Sequence, residues 1–470
     1  MKKVLIIAYD FPPAWTSGVY RPLKFAKHLP QFRWQAIILT VKNYPREIID
    51  ETLLDDIPPE ARIIRARSWE PIRLEKALFA KLYLKKNQLS AFSHNDGAGR
   101  LQRKTARPSP LRRYFFSPLS SFTANFVYIP DDKIGWVPQA VYKGLRAIRQ
   151  EKIDVIMSTS PPESSHIVAL LLRLITGKPW IADFRDPWTD NLYRLKIPRI
   201  RMKYETWLEK TVIRKADMIV HPGSGTAAMS KEKFPDVPPE KHHVITNGFD
   251  EEDFAGLIPE EIYRSDRTPY LHLVNIGTLY EQSGFENFLK AFERVIANGK
   301  MREKIRVSFL GQLIPAWREA LRKQPFKDHV DILGFKPHKE TLRYMMAADV
   351  LLLILPVWED KRASQIIAGK VFELMRAGRP IFMIGREGEC SGMVERSGLG
   401  RFVSYHDVNS ISDTIMQYYR QKKEGELLPE PNRDFICRFE RKKLAEDLAR
   451  LLELAQAKHP KGQSDVAFRA

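Results

Sequence analysis

The chain is poor in the residues that most directly announce a function. Its 470 residues include two cysteines, Cys390 and Cys437. They form no CxxC pair and adjoin no histidine cluster, so neither a disulfide framework nor a zinc site is indicated, and a reducing cytosol is the expected setting. Long hydrophobic runs are missing too. IVALLL (167–172) and VLLLILPVW (350–358) fall far below the roughly 20 residues that span a bilayer. The opening MKKVLIIAYDFPP begins with two lysines, but its apolar stretch stops at Asp10 and no small-residue cleavage site follows. VLIIAY is therefore read as a buried first strand and not as a leader. No GxGxxG follows that strand, which argues against a dinucleotide site there. The lack of a helix-turn-helix, zinc finger or RNP-like aromatic motif argues against nucleic acid as a partner.

What is present is an ordinary globular composition, 44% hydrophobic and 11% aromatic, with 76 Lys and Arg against 57 Asp and Glu and a net charge of +19. The positive charge is unevenly placed. Residues 73 to 113 carry Arg73, Lys76, Lys81, Lys85, Lys86, Arg100, Arg103, Lys104, Arg107, Arg112 and Arg113 against Glu75 and Asp96. A solvated basic loop, nucleic acid or an anionic membrane surface would each suit such a stretch. Leu78, Phe79, Leu82 and Tyr83, interleaved at near-helical spacing, favour the membrane surface.

Along the chain, apolar strand-like runs alternate with helical periodicity. VLIIAY, QAIILT, ARIIRA, DVIMS, WIADF, MIVHP and HHVIT make one series, with a long helix at 199 to 215. The acidic, proline-bearing stretch 251 to 270 interrupts it and reads as a linker. LHLVNIG, RVSFLG, VDILGF, DVLLLIL, PIFMIG and RFVSY then make a second series. Continuous apolar strands separated by helices predict parallel sheets covered on both faces, hence an α/β fold with two doubly wound domains. A final helix at 437 to 457 places Leu444, Leu448, Leu451, Leu452 and Ala455 on one stripe, so it packs against something. In such sheets ligands sit beyond the carboxyl ends of strands, so the chemistry is expected between the two halves.

Several candidates lie at those ends. Gly18 and Arg21 follow the first strand, just ahead of a helix with Pro22 in its first turn. His166 opens an apolar helix directly after a strand, either lining that helix start or meeting a polar substrate. Asp183, Arg185 and Asp186 close the strand WIADF, as mutually neutralising charges or as cleft residues. Gly277 permits close backbone approach after the first strand of the second series, and Thr278 adds a hydroxyl and an amide. SQIIAGKVFELMRAGRP (364–380) is read as one short helix, with Lys370 and Glu373 on one face. They form either a surface ion pair or a clamp in which the ammonium holds phosphate oxygens and the carboxylate accepts ribose hydroxyls.

In its motifs and their order the sequence resembles the GT-B glycosyltransferases, specifically the family 4 group that uses nucleotide sugars. The matching pieces are IIAYDFPPAWTSGVYRPLKFAKHLP, SPPESSH, WIADFRDPW, ITNGFDEEDF, VNIGTLYEQSGFENFLKAF, MMAADVLLLILP and GKVFELMRAGRPI followed by GLGRFV. The resemblance implies two Rossmann-like domains facing a cleft and a C-terminal helix crossing back. The expected layout is an N-terminal acceptor domain over 1–250 with a basic insertion near 73–115, and a linker over 251–268. A nucleotide-sugar domain over 269–435, the crossover helix 436–457 and a tail 458–470 follow.

By the same resemblance Glu373 binds the ribose, Lys370 meets the diphosphate with Gly277 and Thr278 beside it, and His166 contacts the transferred sugar. The Gly18 loop lies near acceptor and sugar. The family pairs two glutamates eight residues apart, and here the earlier position is Gln365, a departure at the sugar-facing half. The basic residues that commonly follow the first strand of the second domain are also missing, leaving Lys361, Arg362 and Lys370 to supply charge. His166, Asp186 and Gln365 are the catalytic candidates, and Arg21, Asp183 and Arg185 the acceptor-side ones.

The implied activity is retaining, metal-independent transfer from a nucleotide sugar, with no other cofactor, to a glycan or lipid-linked acceptor in surface-polysaccharide or lipopolysaccharide synthesis. The expected location is cytoplasmic, peripheral at the inner face of the membrane. The alternatives are a GT-B nucleotide-sugar epimerase and a non-catalytic partner of another transferase.

Overall fold

A computed structural model of the chain describes residues 1–14, 16–42, 49–69, 128–192, 194, 197–258, 270–281, 283–297 and 304–459. The basic insertion, most of the expected linker and nearly all of the tail lie outside the described residues.

Two parallel sheets carry the fold. The first contains β1 (Lys2–Ile7), β2 (Trp34–Val41), β3 (Arg62–Ala66), β4 (Val155–Ser160), β5 (Trp180–Phe184), β6 (Met218–His221) and β7 (His242–Val244) in the order β3-β2-β1-β4-β5-β6-β7. The second contains β8 (Leu271–Ile276), β9 (Ile305–Leu310), β10 (Val330–Gly334), β11 (Val350–Ile354), β12 (Ile381–Gly385) and β13 (Gly400–Ser404) in the order β10-β9-β8-β11-β12-β13. Their central strands are apolar because helices cover both faces. Val4, Leu5, Ile6 and Ile7 of β1 and all five residues of β11 are buried. The registers are set accordingly, with Leu5 opposite Ile37 and Ile156, and Leu351 opposite Val274 and Ile381.

On the first sheet, α1 (Tyr20–His28) lies on one face, and α2 (Val137–Glu151), α3 (Ser164–Thr176) and α4 (Arg199–Lys215) cover the other. Asp131, in the loop before α2, caps α3 by accepting from the Ser164 amide at 2.7 Å and the Ser164 hydroxyl at 2.8 Å. Gly177, with φ of 67°, ends that helix in the left-handed conformation glycine adopts without a Cβ clash. After α5 (Ser224–Lys233) and a helical turn at Glu251–Phe254, the second half adds α6 (Phe285–Ala297), α7 (Pro315–Leu321), α8 (His338–Ala347), α9 (Val371–Ala377), α10 (Glu389–Arg396) and α11 (Val408–Glu424). In α6 the residues Phe285, Phe288, Leu289, Phe292 and Ile296 recur at helical spacing and enter the core of the second sheet.

The last helix, α12 (Arg441–Ala457), returns to the first half. The Phe249 amide donates to Phe439 O at 3.1 Å and the Arg441 amide to Phe249 O at 2.7 Å. Its stripe of Leu444, Leu448, Leu451, Leu452 and Ala455 joins the core beneath β1 and α1. Each buried leucine there contributes roughly 1.5–3 kcal/mol, so the crossover fastens the two halves.

One sequence expectation is corrected by the backbone. Residues 364–380 are not a single helix. A 3-10 turn spans Lys361–Gln365, Ile366 is extended, and the α-helix begins only at Val371 with Lys370 as its N-cap. The break lets Gln365 and Ser364 lie against other elements while Lys370 turns inward.

Candidate active site

Strand order reverses between β1 and β4 in the first sheet and between β8 and β11 in the second. Such reversals splay the flanking loops and open a crevice at the carboxyl ends. The two crevices oppose one another: the Tyr20 ring, just after the β1 loop, lies 4.8 Å from the His338 ring at the start of α8.

On the second-sheet side, Gly277 follows β8 with φ of 101°, a conformation that strains any residue with a Cβ. Lys370 reaches under it. Its Nζ donates to Ile276 O at 2.6 Å, and a Cβ on Gly277 would stand 3.1 Å from that nitrogen. Burial destabilises the ammonium and lowers the Lys370 pKa to about 8. Thr278 continues the turn, half-buried. One turn into α9, Glu373 Oε1 lies 2.9 Å from His338 Nε2. Burial alone would raise the Glu373 pKa, but His338, with Arg441 and Lys24, more than offsets it and holds the carboxylate below its usual range. The His338 pKa moves up, because Glu373 outweighs the burial that would lower it. No ion pair joins Lys370 to Glu373 among the described residues; each is committed to a different partner.

On the first-sheet side, Gly18 is buried under Arg185, whose guanidinium occupies the space a Cβ would need. Arg185 donates through Nε to Ser160 O at 3.1 Å and through Nη2 to Pro161 O. Asp186 beside it is exposed. Arg21 and Asp183 have another setting. Arg21 is 1% exposed and Asp183 fully buried, and the two pair through Nε to Oδ2 at 2.9 Å and Nη2 to Oδ1 at 2.8 Å. Arg21 also donates to the carbonyls of Thr246 and Ile245 at 2.6 and 2.8 Å. Thr159 donates to the same aspartate at 2.7 Å. This pair ties α1 to β5 and to the strand-end turn before Asn247.

His166 is fully buried, with ring centroids 4.4 Å from Phe184, 6.4 Å from Trp180 and 6.5 Å from Trp188. Its Nδ1 meets Ser158 Oγ at 2.7 Å, while Nε2 has no partner among the described residues. Burial lowers its pKa to about 3, so the ring is neutral and keeps one open hydrogen-bonding position.

Gln365 sits in the seam between the halves, packed so closely on Gly225 that a Cβ there would overlap its side chain. Beside it, Glu389 of the second half places its carboxylate at the N-terminus of α5. Its Oε1 accepts from the Gly225 amide at 3.1 Å and from the Ser224 hydroxyl. A carboxylate is favoured at a helix N-terminus by about 0.3–1 kcal/mol. Arg362 crosses the seam as well, donating to Asp190 at 2.5 Å.

The structure thus gathers Gly277, Thr278, Lys370 and Glu373 at one crevice, and Gly18, Arg185 and Asp186 at the other. Gln365 lies in the seam, and Arg21, Asp183 and His166 lie beneath the surface. Sequence reasoning missed His338, Arg441, Glu389 and Gly225. Gly223, Ser224 and Gly225 after the strand MIVHP were a legible signal of a tight strand-to-helix turn. Arg441 gave none: it begins a charged RKK run, yet it is buried, with its pKa lowered by burial to about 10 and Nη1 unpartnered among the described residues. Among the described residues no cluster of three or more His, Cys, Asp or Glu could hold a metal.

Residues 106–253 match the family described as Glycosyltransferase Family 4. No curated protein sequence matches the chain. Solved structures similar in fold include sucrose-phosphate synthase from Thermosynechococcus elongatus, at 14% identity and TM-score 0.62, covering 97% of this chain and 100% of that one. Anabaena HepE in complex with UDP-glucose is similar at 12% identity and TM-score 0.60, with coverage of 97% and 100%. WaaG, a glycosyltransferase involved in lipopolysaccharide biosynthesis, matches at 12% identity and TM-score 0.56, with coverage of 96% and 99%.

Proposed function

We propose that this chain, a family 4-like glycosyltransferase of the GT-B fold, transfers one sugar from a nucleotide sugar to a glycan or lipid-linked acceptor, retaining anomeric configuration and without a required metal. The product belongs to surface-polysaccharide or lipopolysaccharide assembly, and the acceptor is met at the cytoplasmic face of an anionic membrane. The observation that carries this reading is the arrangement of Lys370 under the Gly277 turn, with Glu373 one helical turn away, at the strand-order reversal of the second sheet.

A nucleoside diphosphate leaves with negative charge. The Lys370 ammonium, with the Thr278 amide and hydroxyl beside it, stabilises that charge as the glycosidic bond breaks, while Gly277, whose own amide donates to Leu310 O at 2.8 Å, lets the diphosphate come close to the backbone. Glu373, kept ionised by His338, accepts hydrogen bonds from the ribose hydroxyls. Gln365 faces the sugar across the seam as a neutral group, able both to donate and to accept. His166, buried and neutral, supports the sugar side of the N-terminal half from beneath the surface and does not itself touch the sugar. Gly18, Arg185 and Asp186 border the acceptor side, and the Arg21–Asp183 pair holds the α1 loop in place. The basic run at 73 to 113 supports an acceptor carried on anionic lipid.

Thermal shift of the purified protein against UDP-, GDP- and other nucleotide sugars tests the donor site. Stabilisation by one of them is expected, with affinity at least tenfold lower in Glu373→Ala. Unchanged affinity in that variant removes the ribose assignment. An epimerised donor without transfer identifies an epimerase, and no stabilisation by any nucleotide identifies a non-catalytic partner.

A further inference from the structure

The outer surface of α3 and α4 exposes six large apolar side chains together: Leu171, Leu174 and Ile175 on α3, and Ile200, Tyr204 and Trp207 on α4. They are between 37% and 68% exposed. α3 packs between α2 and α4 in one helical layer, so these side chains share one face of the N-terminal half. On α4, Ile200, Lys203, Tyr204, Trp207 and Arg214 recur at the three- and four-residue steps that define one helix face. The Tyr204 and Trp207 rings stack at 5.5 Å. Buried apolar residues are the rule for helices on a sheet; here the inner face already fills the core with Val212 and Ile213, and a second apolar stripe looks outward.

The charge that α3 and α4 themselves expose on this face is positive. Arg199, Lys203, Arg214 and Lys215 are exposed on α4. The two acids of that helix, Glu205 and Glu209, are buried, and α3 contains no acid. Arg214 does meet Asp236, an exposed pair. We propose that the α3–α4 face is a membrane-docking surface, its leucines, isoleucines and aromatic rings entering the headgroup boundary of an anionic lipid layer while the flanking lysines and arginines meet phosphate. Among the described residues no helix is long and apolar enough to cross a membrane, so the contact is interfacial. A second copy of the chain is a poorer occupant, because symmetric pairing would oppose two cationic faces. Arg201 on α4 donates to Tyr128 O at 3.0 Å and Pro130 O at 3.2 Å, fastening α4 to the loop ahead of α2. The inference rests on the membrane part of the proposed function and assigns it a surface, independently of the donor site.

The test is sedimentation of the full chain with vesicles of phosphatidylcholine alone and of phosphatidylcholine with about a third phosphatidylglycerol. The triple variant Leu174→Ser, Tyr204→Ser, Trp207→Ser is compared with wild type, its fold checked by thermal melting and its nucleotide-sugar binding measured alongside. Wild-type binding that requires the anionic lipid, at least tenfold weaker in the triple variant while nucleotide binding is unchanged, supports the proposal. Wild-type binding retained by the triple variant overturns the assigned face and leaves the membrane reading to the basic stretch. No binding by wild type overturns both. A wild-type dimer that the triple variant disperses overturns it in favour of a self-association surface.

Discussion

Replacing Lys370 with methionine removes one charge from the centre of the proposed diphosphate site, and the ionisation of that lysine makes the consequence measurable as a pH profile. With a pKa of about 8, the free protein carries the ammonium in about nine-tenths of molecules at pH 7 and about one-tenth at pH 9. If the diphosphate binds the charged form, donor affinity falls about tenfold across that interval, or about 1.4 kcal/mol. Lys370→Met binds about 10- to 100-fold more weakly than wild type at pH 7, from the roughly 1.5–3 kcal/mol of a charge-assisted bond, and its profile is flat. Titration calorimetry with a nucleoside diphosphate at pH 7, 8 and 9 and constant ionic strength reads both effects. The nucleoside without phosphates, measured in parallel, reports any ionisation of the base. A wild-type profile no steeper than that of Lys370→Met refutes the reasoning. The same depressed pKa makes the ligand-free protein gain stability from about pH 8 towards 10.5, where the unfolded chain holds the proton that the folded one has lost.

Asp183→Ala strands the buried Arg21 guanidinium and is expected to destabilise the fold by about 3–5 kcal/mol, read as a shift in the urea midpoint; an unchanged midpoint would mean the pair is dispensable. His338→Ala releases Glu373 from its ion pair and weakens donor binding severalfold, with His338→Gln recovering part, whereas equal binding in all three forms contradicts the positioning role. In the ligand-free wild type the His338–Glu373 pair contributes stability fully present below about pH 6.5 and lost as pH rises through the raised folded value, a slope absent from His338→Ala. Gly225→Ala would ordinarily favour a helix, but the added Cβ meets Gln365 across the seam; small-angle scattering is expected to show a larger radius of gyration with unchanged helix content, and an identical curve argues against a seam contact there.

The fold was legible because its strands are buried on both faces. Runs such as VLIIAY, WIADF and DVLLLIL announce themselves by apolar continuity, and their order around α4 and α6 leaves little freedom of architecture. The same reasoning placed Gly18 and Gly277 at strand ends, where parallel sheets bind ligands, and Lys370 and Glu373 on one face of a helix in the second half. What the sequence hid were pairings between distant residues. Arg21 and Asp183 stand 162 positions apart and find each other only when β1, β4 and β5 line up side by side in the sheet. His338 reaches Glu373 across 35 positions. The segment 364–380 looked helical throughout because SQIIAGKVFELMRAG has helical periodicity, but packing of Gln365 on Gly225 and of Ser364 on Gly388 overrides that local preference.

Sugar transfer is tested by incubating the purified protein with a labelled nucleotide sugar that stabilises it, with and without lipid-linked glycan acceptors. With both the label and the released nucleoside diphosphate followed, release is expected to depend on acceptor, with the label moving into the acceptor. Binding of the donor with no transfer to any acceptor, or with the sugar merely epimerised, contradicts it.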